Sequence, residues 1–357
     1  MRVKVIDKNF CLNFPLIFTA LNATAIFRAS PEDFRVEESL GFSFSGTGEH
    51  LCLQVEKIED NTRWVAKLLA SYFCVDESAV GYCGLKDRRA VAIQWFSIHL
   101  PGTFQTIEPK TITVDDTEFK VVASFRHNKK LRRGAHKENH FTIRLRDVAG
   151  DKVLLTSRLQ RILNQGVPNY FGEQRFGHNG GNLIEADLLL RNEYGAQRIR
   201  GKKKVNSPRG GIYLSAARSY LFNLVLAERI KEYFSQSENE TNSFILDSTG
   251  PMWGRGRSSE SEETCRFEEK VLLGWQEWTN ALEFTGMQQE RRPLILVPSN
   301  FSWNWIPHEN LVDIFDLELS FSLPPGAYAT SVLREVLEVK KKSSPDEISM
   351  LATSSLI

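Results

Sequence analysis

The stretch Gly84-Leu85-Lys86-Asp87-Arg88-Arg89-Ala90 sets one carboxylate between a lysine and two arginines. Adjacent positive charge stabilises the ionised form of a carboxylate, and the same cations suit a phosphate backbone. An ionised carboxylate in a basic setting is better fitted to nucleophilic attack than to donating a proton. A surface loop with local ion pairs would show the same residues, so the string alone leaves both readings open. A short apolar run (Ala79, Val80, Tyr82, Cys83) precedes it and a strand-like segment at 94–100 follows, so Asp87 sits on the connection into a strand.

Other charged groups cluster. Arg126, Lys129, Lys130, Arg132, Arg133 and Lys137 fall in one short stretch, and Arg198, Arg200, Lys202, Lys203 and Lys204 in another. The net charge is only +1, so a nucleic-acid partner would be met by a localised basic face rather than by the whole surface. The seven histidines and five cysteines form no persuasive ligand set, and no metal or redox cofactor is expected. Five unpaired cysteines fit a reducing compartment, the cytoplasm. No apolar stretch is long enough for a membrane span. Arg2, Lys4 and Lys8 precede an apolar segment, but Asn13 and Pro15 interrupt it, so a cleaved leader is not expected.

The elements that must carry these groups are partly visible. Leu51, Leu53 and Val55 alternate with Cys52, Gln54 and Glu56 as in a half-buried strand. Asn61 or Thr62 caps a helix with Trp64, Val65, Leu68, Leu69 and Tyr72 at helical spacing. Strands are also expected at 94–100, 119–124 and 141–146, where Phe141, Ile143 and Leu145 face one way and Thr142, Arg144 and Arg146 the other. After Gly166 the chain is glycine- and loop-rich, and then a helix starts at Ser215 as its N-cap. Polar stretches at 235–243 and 255–263 read as loops. Strands return at 294–297, 301–306 and 315–321, and a turn at Pro324-Pro325-Gly326 leads into a last helix carrying Val332, Leu333, Val336 and Leu337. A chain of 357 residues suggests two domains, and strand-rich flanks around a different middle suggest that one is inserted in the other.

Six strings then stand in order: SPEDFRVEE from Ser30, GLKDRRAVAIQWFSI from Gly84, HKENHFTIRLR from His136, NYFGEQRFGHNGGNL from Asn169, LSAARSYLFN from Leu214 and LPPGAYATSVLRE from Leu323. Together they resemble the TruD family of tRNA pseudouridine synthases, from about residue 28 to 338. The resemblance implies an α+β fold: a pseudouridine synthase catalytic core with a mixed, mainly antiparallel sheet (1–165 and 291–340), interrupted by an inserted α/β TRUD domain (166–290). Residues 341–357 would form a disordered tail. It implies an isomerase that converts uridine 13 of tRNA to pseudouridine without a cofactor, working as a monomer with no obligate protein partner.

The resemblance also assigns roles. Asp87 is the catalytic aspartate, and Lys86 beside it orients that carboxylate or touches phosphate. Asn139 hydrogen-bonds within the active site, against the target base or the aspartate, while Phe34, Phe141 and Tyr328 contact the substrate, stacking being the natural use of an aromatic ring against a flipped base. Tyr328 departs from the usual phenylalanine, and Arg28 stands where a basic residue, often lysine, is expected. Lys129, Lys130, Arg132, Arg133, Lys137 and Arg175 are candidates for the RNA backbone, whereas Phe171 and Phe176 read as packing residues. Two other functions compete: a non-catalytic RNA-binding or RNA-folding protein, and a synthase with other RNA substrates. A carboxylate-pair hydrolase ranks below both, because it needs a second acid where this string has cations.

Overall fold

The computed structural model describes residues 10–87, 89–191, 208–236, 248–308 and 314–341. The Arg198–Lys204 cluster and nearly all of the polar tail lie outside them. The chain folds into two compact units: Leu21–Leu163 with Pro298–Ala329 and Val336–Ile357, and Asn164–Val297 with Met1–Ala20 and Thr330–Glu335. In chain order the elements are β1 (Thr24–Phe27), β2 (Phe34–Leu40), β3 (His50–Ile58), α1 (Thr62–Tyr72), β4 (Val80–Tyr82), β5 (Val91–His99), β6 (Lys110–Val114), β7 (Thr117–His127), β8 (His136–Ala149) and α2 (Lys152–Gln165). Then come β9 (Val167–Pro168), α3 (Gly181–Leu189), α4 (Pro208–Gln236), β10 (Thr249–Met252), α5 (Glu262–Val271), α6 (Gln276–Leu282), β11 (Glu290–Pro293) and β12 (Ile295–Leu296). β13 (Ser299–Pro307), β14 (Phe315–Leu323), α7 (Ala329–Val336) and β15 (Glu338–Lys341) close the described chain.

The first unit is built on one mixed sheet of order β13-β14-β8-β2-β5-β3-β7-β6, with β1, β4 and β15 added at its margins. β2 runs parallel to β5 and β1 to β15; the other pairs are antiparallel. The alternation read in the sequence decides the faces. Phe141, Ile143 and Leu145 of β8 are buried while Thr142, Arg144 and Arg146 are only half-buried, and a one-residue slip would exchange the two sets. Leu51, Leu53 and Val55 of β3 pack with Val65, Leu68 and Leu69 of α1 and with Phe96 and Ile98 of β5. Each such side chain taken fully out of water contributes about 1.5–3 kcal/mol. Asn61 caps α1, its side chain accepting from the Trp64 amide at 2.8 Å.

The second unit is mainly helical. α4 buries Ala217, Tyr220, Leu221 and Val225, and its buried Asn223 accepts from the Phe171 amide at 2.9 Å and donates to the Phe171 carbonyl at 3.0 Å. Phe171 and Phe176 are buried, as the packing reading held. Phe14 stacks on Tyr170 with centroids 5.2 Å apart, and Phe10 meets Tyr220 at 5.5 Å. Aromatic burial thus groups residues 10–20 with this unit, whereas the sequence reading kept them with the catalytic part. α4 begins at Pro208, before the expected Ser215; proline is well suited to a first helical turn, and the Ser215 carbonyl accepts from Ser219 within the helix. Neither α3 nor β15 was expected, because both are short and break no clear period. Among the described residues no helix is long and apolar enough to cross a membrane.

Candidate active site

Asp87 lies in the connection from β4 to β5, and buried hydrogen bonds fix this connection. Gln94 of β5 donates to the Gly84 carbonyl at 3.1 Å and accepts from the Thr62 hydroxyl at 2.8 Å, while Thr62 Oγ1 accepts from the Lys86 amide at 3.0 Å. Thr62 and Gln94 are 1% and 0% exposed. The start of α1 therefore holds the loop through a side chain that a helix cap could otherwise have used for itself.

Lys86 points inward. Its ammonium donates to Glu38 Oε2 at 2.8 Å and to Asn139 Oδ1 at 2.5 Å, and the Lys86 and Glu38 side chains are 5% and 0% exposed. The other Glu38 oxygen accepts from the Trp95 amide at 3.2 Å. Sheet register makes this meeting possible: Asn139 of β8 stands opposite Glu38 of β2 and Leu323 of β14. Asn139 completes the chain by approaching His136 Nε2 with its amide nitrogen at 3.3 Å. Burial, followed by the nearby Lys86 charge, holds the His136 imidazole below its ordinary pKa against the pull of Glu38. A neutral ring whose Nε2 accepts from Asn139 carries its proton on Nδ1, a buried atom with no partner among the described residues.

Among the described residues, the cation that the Asp87 carboxylate meets comes from outside its own string. Arg28 NH2 donates to Asp87 Oδ2 at 2.6 Å, with side-chain exposures of 25% and 33%. Arg88 lies outside the described residues and Arg89 is exposed. The Arg28 guanidinium rests on the Phe34 ring, 4.0 Å from its centroid, and lies 4.9 Å from that of Phe27. Arg28 itself has φ +56°, a left-handed backbone that costs a non-glycine residue on the order of 1–3 kcal/mol unless its surroundings impose it. The turn after it supplies that constraint. Asp33 accepts from the Ser30 amide at 2.9 Å and takes a two-pronged contact from Arg146 of β8 at 2.6–2.9 Å.

Several sequence expectations change here. Lys86 is enclosed and bonds Glu38 and Asn139 rather than Asp87. Asn139 bonds Lys86 and His136 rather than the aspartate. Phe34 and Phe141 are 3% and 8% exposed and lie 5.9 Å apart, so they are packed against each other, and Arg28 covers Phe34. Tyr328 is half-buried in the turn leaving β14, at the same sheet end as Asn139. Arg126, grouped by sequence with the basic cluster, is 3% exposed and turned inward, its Nε donating to the Gln105 carbonyl at 2.7 Å. Lys129, Arg132, Arg133 and Lys137 are exposed around the β7–β8 connection, and Lys130 there donates to the Ser78 carbonyl. Arg175, in the second unit, has its guanidinium 5.5 Å from the Phe171 ring.

Sequence reasoning missed Glu38, Thr62, Gln94 and His136, which lack a telling spacing, and also Lys57. That lysine is 1% exposed and donates to the Asp60 carbonyl. Burial pulls its ammonium down to about 8 despite the opposing charges of Asp60 and Asp87. Burial likewise pushes the Cys52 and Cys83 thiols up to about 12, so both are packing groups rather than nucleophiles. Asp147, His308 and Asp316 bring ligand-type atoms within 4.8 Å of one another. Burial raises the Asp316 carboxyl, but His308 at 2.8 Å, the Asp147 amide and Arg144 at 2.7 Å outweigh it and hold the group below its usual range. With its oxygens engaged by N–H donors, this set fits an ion-pair network and leaves little for a cation.

Residues 16–199 match the family model of tRNA pseudouridine synthase D (TruD). A tRNA pseudouridine synthase D of Cellvibrio japonicus is 44% identical over 338 residues, 94% of this chain and 96% of its own length. One of Aeromonas salmonicida is 40% identical over 344 residues, 89% and 92% of the two chains. A solved TruD structure from Methanosarcina mazei, only 21% identical, shares the fold with a TM-score of 0.63 over 94% of this chain and 98% of that one. A mixed sheet bearing an aspartate loop, with sequence identity running almost end to end, leads to one assignment: the chain belongs to the TruD family.

Proposed function

We propose that the chain isomerises uridine to pseudouridine in tRNA, at position 13, with Asp87 as the catalytic group. In this reading Leu21–Leu163 and Pro298–Ala329 carry the catalytic domain, and Asn164–Val297 is the inserted TRUD domain. The reaction breaks the N1–C1′ bond, turns the base and forms a C5–C1′ bond. The C5 proton is lost and N1 gains one, so nothing is added or oxidised overall and no external group is required. Asp87 attacks C1′, attacks the base, or removes a sugar proton; each role needs an ionised carboxylate within reach of solvent.

The observation that carries the reading is the contrast around Asp87. The loop backbone just before it is tied down at Lys86 and Gly84, while its carboxylate stays one-third exposed and, among the described residues, pairs with the Arg28 guanidinium. A fixed but reachable carboxylate is what a nucleophile or base needs. Arg28 would hold the Asp87 carboxylate in place before substrate arrives and then offer its own flat face to the base, since Phe34 and Phe141 are packed away. Tyr328 would contact the substrate from the turn after β14, and Lys129, Lys130, Arg132, Arg133, Lys137 and Arg175 would meet the RNA backbone. The deciding experiment is direct assay of pseudouridine in a tRNA transcript, with chelator present and no added nucleotide. Conversion by wild type and none by Asp87→Asn supports the reading; conversion by Asp87→Asn within about tenfold of wild type removes Asp87 from the chemistry.

A further inference from the structure

The connection between β7 and β8 walls a cavity of about 890 Å³, whose lining includes Phe42, His50 and His127 as well as Lys129, Lys130 and Arg132. No carboxylate is among its lining residues. Its aromatic part is built by sheet register. His50 of β3 stands opposite His99 of β5 and His127 of β7, and the His50 and His99 rings stack with centroids 4.7 Å apart. Phe42, 38% exposed, stacks on His127 at 5.4 Å and 21°. Gly48 allows this closure: at φ +114° a Cβ there would sit 2.5 Å from the His127 carbonyl oxygen.

The protonation state is also set. His127 Nδ1 accepts from the Ser45 amide at 3.2 Å, which leaves its proton on Nε2. Burial first, then His99, Lys130 and neighbouring His127, hold His50 below its ordinary pKa, with Glu49 opposing. Burial and then Lys129 do the same for His127. At neutral pH the lining therefore combines uncharged aromatic surface with fixed cations. Lys129 and Arg132 are exposed and engage no carboxylate among the described residues.

We propose that this cavity seats one unpaired nucleotide of the RNA, its base on Phe42 and His127 and its phosphate on Lys129, Lys130 and Arg132. The inference rests on the RNA-modifying reading above and adds a second holding point to it. Cations beside open ring faces are the combination that binds single-stranded RNA, because every base has a stacking face and every nucleotide a phosphate. The volume lies within the roughly 300–1,000 Å³ of small-ligand sites. The cavity is also joined to the catalytic loop. Gly134 donates to the Cys83 carbonyl at 2.7 Å, and the Leu131 amide donates to Ser97 Oγ at 2.9 Å. A nucleotide held here fixes the RNA against the segment that carries Asp87. A phosphate brought into the cavity adds negative charge that favours the protonated forms of His50 and His127, so binding takes up protons and tightens as pH falls.

Anisotropy with fluorescein-labelled hexauridylate, and with a substrate tRNA transcript, tests this. Phe42→Ala should weaken hexauridylate binding by about tenfold, with Phe42→Trp restoring it. Lys129→Gln combined with Arg132→Gln should lower the log–log salt slope by roughly 1.4, two contacts at roughly 0.7 each. Because those cations are exposed, this variant also tells lost contact from lost folding. His50→Gln with His127→Gln should flatten the pH dependence of affinity. Unchanged affinity and salt slope in both the Phe42 and the double-cation variants overturn the pocket. Should wild type make pseudouridine while these variants bind normally, the pocket fails alone. Should wild type bind through the pocket yet make no pseudouridine, the enzymatic reading fails and the pocket stands.

Discussion

Two ion pairs begin one residue apart in sequence and behave as opposites. Lys86–Glu38 is enclosed, 5% and 0% exposed, and each partner has a further hydrogen bond. Arg28–Asp87 is 25% and 33% exposed, and Arg28 Nε has no partner among the described residues. Desolvated charges cost several kcal/mol each and persist only while their partners remain, so the enclosed pair acts as a fixed brace. A half-open pair is screened by water and contributes little to stability, so its partner is exchangeable. The protein braces the backbone of the loop with one pair and keeps the carboxylate proposed as catalytic releasable with the other.

The largest expected effect breaks the open pair from the carboxylate side. Asp87→Asn should lower pseudouridine formation by at least about a thousandfold, with tRNA affinity changed less than about threefold, because binding rests on many phosphate contacts. Equal losses in both measurements would mean that Asp87 is a binding group.

Breaking the brace should show in stability instead. Lys86→Met strands the Glu38 charge and should cost about 3–5 kcal/mol in urea unfolding, much of it recovered by adding Glu38→Leu. A cost under about 1 kcal/mol would show that the pair is not the brace argued here.

Arg28→Ala tests the open pair from the other side. Stability should move by less than about 1 kcal/mol, whereas the rate should fall by about a hundredfold through loss of carboxylate positioning. A variant that unfolds easily would place Arg28 with the brace instead.

The smallest effect is a pH dependence. His136, His50 and His127 are all held below the ordinary 6.5. Their neutral forms stabilise the fold, so this contribution is complete above about 6.5 and is lost as pH falls from there through the folded-state values. Each contributes a slope of at most about 1.4 kcal/mol per pH unit. His136→Gln should reduce the acid sensitivity seen in thermal unfolding between about pH 5 and 6.5; an unaltered profile would assign it to other groups.

How legible the site was depended on how local its cause is. The Asp87 loop, the α1 cap at Asn61 and the alternation of β8 could be read directly, because spacing along one chain segment sets them. The aromatics were read as a stacking platform by resemblance, and burial reassigned Phe34 and Phe141 to packing with Arg28 over Phe34. The cations were read as one basic cluster, yet Arg126 in β7 is turned inward while Lys129 and Arg132, in the connection after that strand, are exposed.

By itself the sequence determined where the candidate carboxylate stands, which strand faces are apolar and which family the chain resembles. Those follow from residue type and period, which the chain carries locally. Only the tertiary structure decided which cation each carboxylate meets. Glu38, Lys86 and Asn139 converge because β2, β8 and the β4–β5 connection are neighbours in register, and Arg28 reaches Asp87 across 59 residues. Charge attracts without regard to sequence distance, so pairing is settled by the sheet order that brings the groups together and by how much water is left between them.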